Sequence, residues 1–221
     1  MTVSSTETSF NARLWNTSYF QDRSVGFVGV GHKSVWLVTN RNIERGIRQT
    51  IVAVFVIGIR RRNPGAVVNS VFALLGTYLP DAAERWFAVE LKPWQRAYVG
   101  VAMVTHAVGM LGSYDSIGWW DHLTHTLSAS ILGGFVFTVA KRRGNDPRPR
   151  VLGAVVLGGL LWELIEYVIH AVADRLGIEP ILVVYSTRDT VLDLLFNLVG
   201  ALLVLVFGER LLRNLVQSGD S

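Results

Sequence analysis

Carboxylate, imidazole and amide side chains recur inside three apolar stretches in the C-terminal half of this chain. They are Asp121, His122, His125, Glu163, Glu166, Asp189, Asp193 and Asn197. An ionisable group at the bilayer centre costs about 2.5 to 3.5 kcal/mol, and less near the interface. Such groups need partners, and acids inside membrane helices are functional by default. The three stretches therefore predict a polar cluster inside a membrane protein.

The spacing of these residues puts each set on one face of its helix. The sets are Asp121 and His125 at i,i+4, Glu163 and Glu166 at i,i+3, and Asp189, Asp193 and Asn197 at i,i+4,i+8. A rise of about 1.5 Å per residue places all three sets at one depth. In a hydrocarbon core about 30 Å thick, Glu163 and Glu166 lie roughly 8 to 12 Å below the outer surface, and His125 and Asp193 lie about 9 Å below it. We therefore expect a pocket that opens to the outer side.

Oxygen and imidazole donors without thiolates suit zinc, manganese or iron, and suit calcium less well. The first hypothesis is therefore a membrane-embedded, metal-assisted enzyme that acts on a lipid or envelope precursor, an amphiphilic small molecule. The predicted metal ligands are Asp121, His125, Glu163 and Asp193. The predicted catalytic residues are Glu166 or His122 as general base and Asn197 as the group that orients the substrate.

Two other functions are compatible with the same residues. In a proton- or cation-coupled transporter the acids would form the ion site, although the chain shows no inverted repeat of the kind that many transporters carry. In a scaffold the cluster would only secure helix packing. The nearby His106 is interpreted as an interhelical hydrogen-bonding residue, and Asp189 as an N-cap or first-turn residue.

The composition is that of an integral membrane protein. Half of the 221 residues are hydrophobic, only 17% are charged, and the mean hydropathy is +0.36. The absence of cysteine excludes disulfides and thiolate metal sites. The pI near 9.7 does not indicate a nucleic-acid partner, because the basic residues flank apolar stretches rather than forming a soluble face.

The pattern of apolar runs predicts an all-α, polytopic transmembrane helix bundle with about six spans, whose main partner is the lipid bilayer. The predicted spans are 46–59, 66–79, 93–110, 119–140, 151–172 and 187–207. The first two are barely long enough to cross a bilayer, so they are predicted either as thin helices or as one hairpin. The predicted organisation is a polar N-terminal arm over 1–45, the bundle over 46–213 and a tail over 214–221.

The basic residues near the span ends predict the orientation of the bundle. With both termini in the cytoplasm, thirteen lysines and arginines face inward and five face outward. The first ten residues lack the basic and apolar regions of a secretory signal, so the first span is expected to target the chain. We therefore predict a multi-pass protein of the plasma membrane.

Three motifs carry a resemblance to a known family: YDSIGWWDHLTH, WELIEY and STRDTVLDLLFNLVGAL. Together they resemble the YjdF-type family of bacterial and archaeal membrane proteins, including its haloarchaeal members. The resemblance covers the last four spans and implies a role for Tyr114, Asp115, His125, Glu163, Glu166, Asp189, Asp193 and Gly200, but it implies no reaction. The segment 188–200 is more distantly similar to VanZ-like proteins.

Overall fold

The computed structural model describes residues 26–184 and 186–217, with side chains described from residue 42 onward. These residues contain helices and no strand, which confirms the all-α prediction. The helices are α1 Gly26–Arg61, α2 Pro64–Gly76, α3 Leu79–Phe87, α4 Pro93–Val108, α5 Tyr114–Ser116, α6 Trp120–Arg142, α7 Pro147–Leu176, α8 Thr187–Leu211 and α9 Arg213–Gln217, with a π-helical turn at Gly109–Ser113. The arm predicted over 1–45 lies largely outside the described residues, as does the end of the tail predicted over 214–221.

Within the part of the chain that the structure describes, four helical segments are long and apolar enough to cross a membrane. They are Pro64–Phe87, which joins α2 and α3, and the helices α6, α7 and α8. A multi-pass membrane location follows from these segments. Helix α4 has 16 residues, short for a span, and the predicted number of six spans stays a prediction.

The N-terminal half differs from the sequence prediction in its helix boundaries. The apolar run 46–59 is the last part of the longer helix α1, because no proline or turn signal interrupts the residues before it. The predicted end of the second run at Pro80 is wrong. Pro80 lies in the first turn of α3, where a missing backbone N–H removes no helical hydrogen bond.

Two apolar clusters hold the part of the chain from Asn42 onward. The first joins α1, α2 and α4 through Ile51, Val54, Ala73 and Ala107. The second joins α6, α7 and α8 through Ala129, Phe137, Val151, Val155, Ala201 and Val204. Small residues recur in both clusters, which lets neighbouring helices approach closely without a polar contact.

A four-residue connection, 143–146, joins α6 to α7, and a longer one, 177–186, joins α7 to α8. Between α6 and α7, Gly144 adopts a positive φ of 67°, and the Asp146 side chain caps α7 by accepting from the Arg148 N–H. Gly177, with φ of 64°, ends α7, and Ser186 caps α8. Alternating chain direction thus brings the start of α6, the end of α7 and the start of α8 to the same end of the bundle. That end carries the polar residues.

Candidate metal site in the helix bundle

Three predicted ligands converge from two helices at this end of the bundle. His125 Nε2 lies 3.4 Å from Asp121 Oδ1, one turn earlier on α6, and 3.7 Å from Asp193 Oδ1 on α8. One potential donor atom from each residue lies within 4.8 Å of the others. Asp121 and His125 on α6 therefore lie next to Asp193 on α8, as the sequence predicts. We call Asp121, His125 and Asp193 the triad.

The separations in the triad fit a single metal ion. Donor atoms about 2.1 Å from a tetrahedrally coordinated ion stand about 3.4 Å apart. The triad's two short separations, 3.4 and 3.7 Å, are close to that value. Three protein ligands would leave coordination positions open, which is the arrangement of catalytic rather than structural metal sites. Two carboxylates and one imidazole suit zinc, manganese or iron.

The burial of Asp193 is a second indication that the triad can bind a cation. It is only 3% exposed, and its Oδ1 atom makes no hydrogen bond to any described residue. Leaving a buried carboxylate oxygen without a donor is costly, more so for a charged group than for a neutral one. The two histidine nitrogens at 3.7 Å are too far away for a hydrogen bond. A cation bound at the triad would remove this cost.

The triad lies on the wall of a cavity of about 430 Å³ that reaches α2, α4, α6, α7 and α8. Six of the seven predicted site residues line it, namely Asp121, His125, Glu163, Glu166, Asp193 and Asn197. The predicted convergence of the three polar stripes is thus what the structure shows. The chemical roles predicted for these residues stay predictions.

His122 is the predicted site residue that does not line the cavity. Its ring stacks on Phe196 of α8, with ring centroids 4.3 Å apart and planes 3° from parallel. Its Nδ1 atom lies 3.7 Å from Asp193 Oδ1. His122 therefore contacts a triad carboxylate from outside the cavity, a place better suited to positioning Asp193 than to acting as general base.

Glu163 and Glu166 line the cavity from α7, outside the triad. Glu163 Oε1 is buried and has no hydrogen-bond partner among the described residues. Glu166 Oε1 accepts from the indole N–H of Trp162 at 2.8 Å. The Trp162 contact was missed at the sequence level, although the i,i+4 spacing in WELIEY is a signal that could have found it.

Asn197 and Asp189 complete the α8 stripe. Asn197 is 6% exposed and packs against Gly159 of α7, where a Cβ atom would stand 2.7 Å from its Nδ2. Asp189 lies in the first turn of α8, and its backbone N–H donates to the Ser186 N-cap. The first-turn interpretation of Asp189 is confirmed, and its side chain also faces the cavity.

A hydrogen-bonded chain approaches the triad from the first half of the bundle. The Asn69 amide N–H group donates to the backbone oxygens of Gly65 and Ile181, so its Oδ1 faces His106 Nε2 at 3.2 Å. Because the Asn69 Oδ1 atom can only accept, His106 must carry its proton on Nε2. Its Nδ1 atom then accepts from the Tyr114 hydroxyl at 2.8 Å. His106 is therefore an interhelical hydrogen-bonding residue, as predicted.

The contacts that begin at Asn69 end close to the triad. The Tyr114 hydroxyl lies 3.4 Å from Thr124 Oγ1, which donates to the Asp121 backbone oxygen at 2.7 Å. Because Tyr114 donates its proton to His106, the two hydroxyls are in contact without a hydrogen bond between them. Residues 179–184 also line the cavity, and His170 Nδ1 accepts from the Val184 N–H at 3.0 Å. The contacts from Asn69 and His170 thus fix the α7–α8 connection beside the site. Partners 112 residues apart, such as Asn69 and Ile181, have no sequence signal.

Comparison with known proteins identifies the family of this chain. Residues 43–214 match the model of a family described as "Predicted membrane protein (DUF2238)". No curated protein and no solved structure matches the chain. The matched region includes every residue that lines the cavity. The chain belongs to the DUF2238 family of membrane proteins.

Proposed function

We propose that this membrane protein holds one divalent metal ion at Asp121, His125 and Asp193 and uses it in a reaction on an amphiphile. The observation that carries the proposal is the convergence of three donor groups around a buried carboxylate oxygen that has no hydrogen bond. The triad also lies on a cavity large enough for a small-molecule headgroup. Zinc, manganese and iron are the ions that this donor set favours.

Each part of the cavity has a task in this proposal. A divalent ion at the triad would supply Lewis-acid activation of a substrate group. Glu166, held by the Trp162 N–H, would be the base that accepts a proton, and Asn197 would orient the substrate. The proposal places the site toward the outer side of the plasma membrane, with both termini in the cytoplasm, as the distribution of basic residues predicts. The resemblance to YjdF-type and VanZ-like proteins stays a prediction.

Elemental analysis of the full-length, detergent-purified protein tests the metal site. We expect about one zinc, manganese or iron per chain in the wild type, because three donors suit one ion. The variants Asp193→Asn and His125→Ala should lose it, since each removes a ligand from a three-ligand site. Glu209→Gln, an exposed acid of the same helix as Asp193, is the matched control and should keep the ion.

Wild-type protein that stays metal-free after incubation with each of the three ions would refute the proposal. So would an Asp193→Asn variant that retains the wild-type metal content. A comparison of thermal unfolding before and after metal addition gives an independent readout, because a ligand that binds only the folded state raises its stability. That rise should disappear in the Asp193→Asn variant and persist in Glu209→Gln.

His122→Ala should weaken metal binding without abolishing it. The His122 ring is stacked on Phe196 with its Nδ1 3.7 Å from Asp193 Oδ1, so its removal would open space beside this carboxylate. Because no hydrogen bond is lost, we expect a loss of about 10-fold in metal affinity, the lower end for partners outside the ligand shell. Competition with a chelator measures the dissociation constant. His122→Gln, which keeps a polar group near Asp193, should recover part of the affinity. An unchanged dissociation constant in His122→Ala would contradict the positioning role.

A further inference from the structure

We infer that the cavity binds the positively charged amine of its amphiphile, with Glu163 and Trp162 of α7 as the recognition residues. The inference rests on the proposed function, because it names the class of substrate that the same cavity would accept.

The described walls of the cavity carry many acids, and their only basic side chains are the imidazoles of His106 and His125. Among the described residues that line it are seven carboxylates and no lysine or arginine. One divalent ion at the triad would offset only two negative charges. A phosphate or carboxylate headgroup would meet like charges on the remaining wall, whereas an amine would meet complementary ones. The charge pattern therefore favours a cationic ligand.

Two wall oxygens have no hydrogen-bond donor among the described residues. They are Asp193 Oδ1, on a side chain that is nine-tenths buried, and Glu163 Oε1. The first belongs to the triad, which leaves Glu163 for another ligand group. Thr190 also hydrogen-bonds to the Glu163 carboxylate, so it is the Oε1 atom alone that lacks a donor among the described residues. A primary ammonium carries three N–H donors and a full positive charge, so it can satisfy that oxygen.

Trp162 places an aromatic ring next to this carboxylate. Its indole N–H donates to Glu166 Oε1 at 2.8 Å, which fixes the ring at the cavity wall one residue before Glu163. The face of an indole ring attracts ammonium groups, and acids combined with aromatic rings are a recurring way to bind them. The apolar part of the ligand would lie against Met103, Leu132 and Leu182, which line the same cavity.

Titration calorimetry with three six-carbon probes tests the inference: hexylamine, hexanoate and hexanol. Each is added to the full-length, detergent-purified protein, first stripped of metal and then reloaded. We expect hexylamine to bind at least about tenfold more tightly than the other two probes in both states. Glu163→Gln should weaken hexylamine binding by about 30-fold or more, because it removes one partner of a buried charge pair.

Two further variants separate recognition from misfolding. Trp162→Leu should weaken hexylamine binding about fivefold through loss of the aromatic face. Asp174→Asn, an exposed acid of the same helix outside the cavity, is the matched control and should bind hexylamine as the wild type does. Thermal unfolding of each variant shows whether it folds, and the comparison of the three probes on wild-type protein needs no variant.

Equal binding of hexylamine and hexanol, or tighter binding of hexanoate in the metal-loaded state, would overturn the inference. A second metal ion per chain that Glu163→Gln removes would also overturn it, because Glu163 would then be a metal ligand. Protein that never binds metal but binds hexylamine through Glu163 would refute the proposed metal chemistry and leave the amine site standing. The two failures are therefore distinguishable.

Discussion

Gly200→Ala should lower the free energy of unfolding by about 3 kcal/mol, at the upper end of the cost of overpacking. A Cβ atom at Gly200 would stand 2.6 Å from the backbone oxygen of Thr126 and 3.0 Å from the backbone nitrogen of Ser130 on α6. Backbone atoms cannot rotate away as a flexible side chain can, so α6 and α8 must separate. Thermal unfolding in detergent should show a midpoint lower by about 6 to 12 °C.

The same substitution should also weaken the metal site. Gly200 lies two helical turns after Asp193 on the same face of α8, and its neighbour Thr126 directly follows His125 on α6. Separation of the helices at Gly200 would therefore lengthen the 3.7 Å distance between His125 Nε2 and Asp193 Oδ1. We expect a lower metal content in Gly200→Ala at temperatures where the variant is still folded.

Gly153→Ala is the matched control for Gly200→Ala. Gly153 lies inside α7, and a Cβ atom there would meet nothing within 4 Å. Alanine in a helix interior is favoured over glycine by roughly 0.5 to 1 kcal/mol, so this variant should be slightly more stable than the wild type. Equal stability of the Gly200→Ala and Gly153→Ala variants would show that the close contact of α6 with α8 is absent in the folded protein.

The sequence predicted the second half of the bundle well because its signals are local. Apolar length marked the spans 119–140, 151–172 and 187–207, and α6, α7 and α8 contain those ranges apart from Trp119 itself. Helical spacing and rise then placed the polar stripes on one face and at one depth. Three helices that alternate in direction must bring these stripes to the same end of the bundle. The positions of the cavity and the triad could therefore be expected from helical spacing and rise.

The sequence could not predict contacts that depend on how helices rotate and cross. His122 follows Asp121 directly, yet the rotation of α6 puts its ring on Phe196 and outside the cavity. The hydrogen bond from His106 to Asn69 joins α4 to α2 without any spacing rule. The start of α3 was also beyond local signals, because the residues around Pro80 are compatible with either a helix or a turn.

Arg96→Met should lower the free energy of unfolding by about 2 to 3 kcal/mol, between the values for exposed and buried ion pairs. The Arg96 guanidinium on α4 lies 2.6 Å from Glu44 on α1, and 2.5 and 2.9 Å from Asp81 and Glu84 on α3. Its side chain is only 14% exposed. Methionine would fill similar space but would remove the ion pair of Glu84 and leave Glu44 and Asp81 only their longer ion pairs with Arg48, at 3.9 and 3.7 Å. The three carboxylates would then repel one another. Unfolding in denaturant measures the change.

Lys141→Met is the matched control, because it breaks an ion pair of the same length in an exposed place. Lys141 Nζ lies 2.6 Å from Glu209 Oε1, but the two side chains are 33% and 73% exposed. Exposed pairs contribute about 0 to 1 kcal/mol, since water screens them and ordering two long side chains costs entropy. A loss in Arg96→Met no larger than that in Lys141→Met would contradict the argument. It would mean that the packing of α1 with α4 depends on the apolar cluster around Ile51 and Ala107 and gains nothing from Arg96.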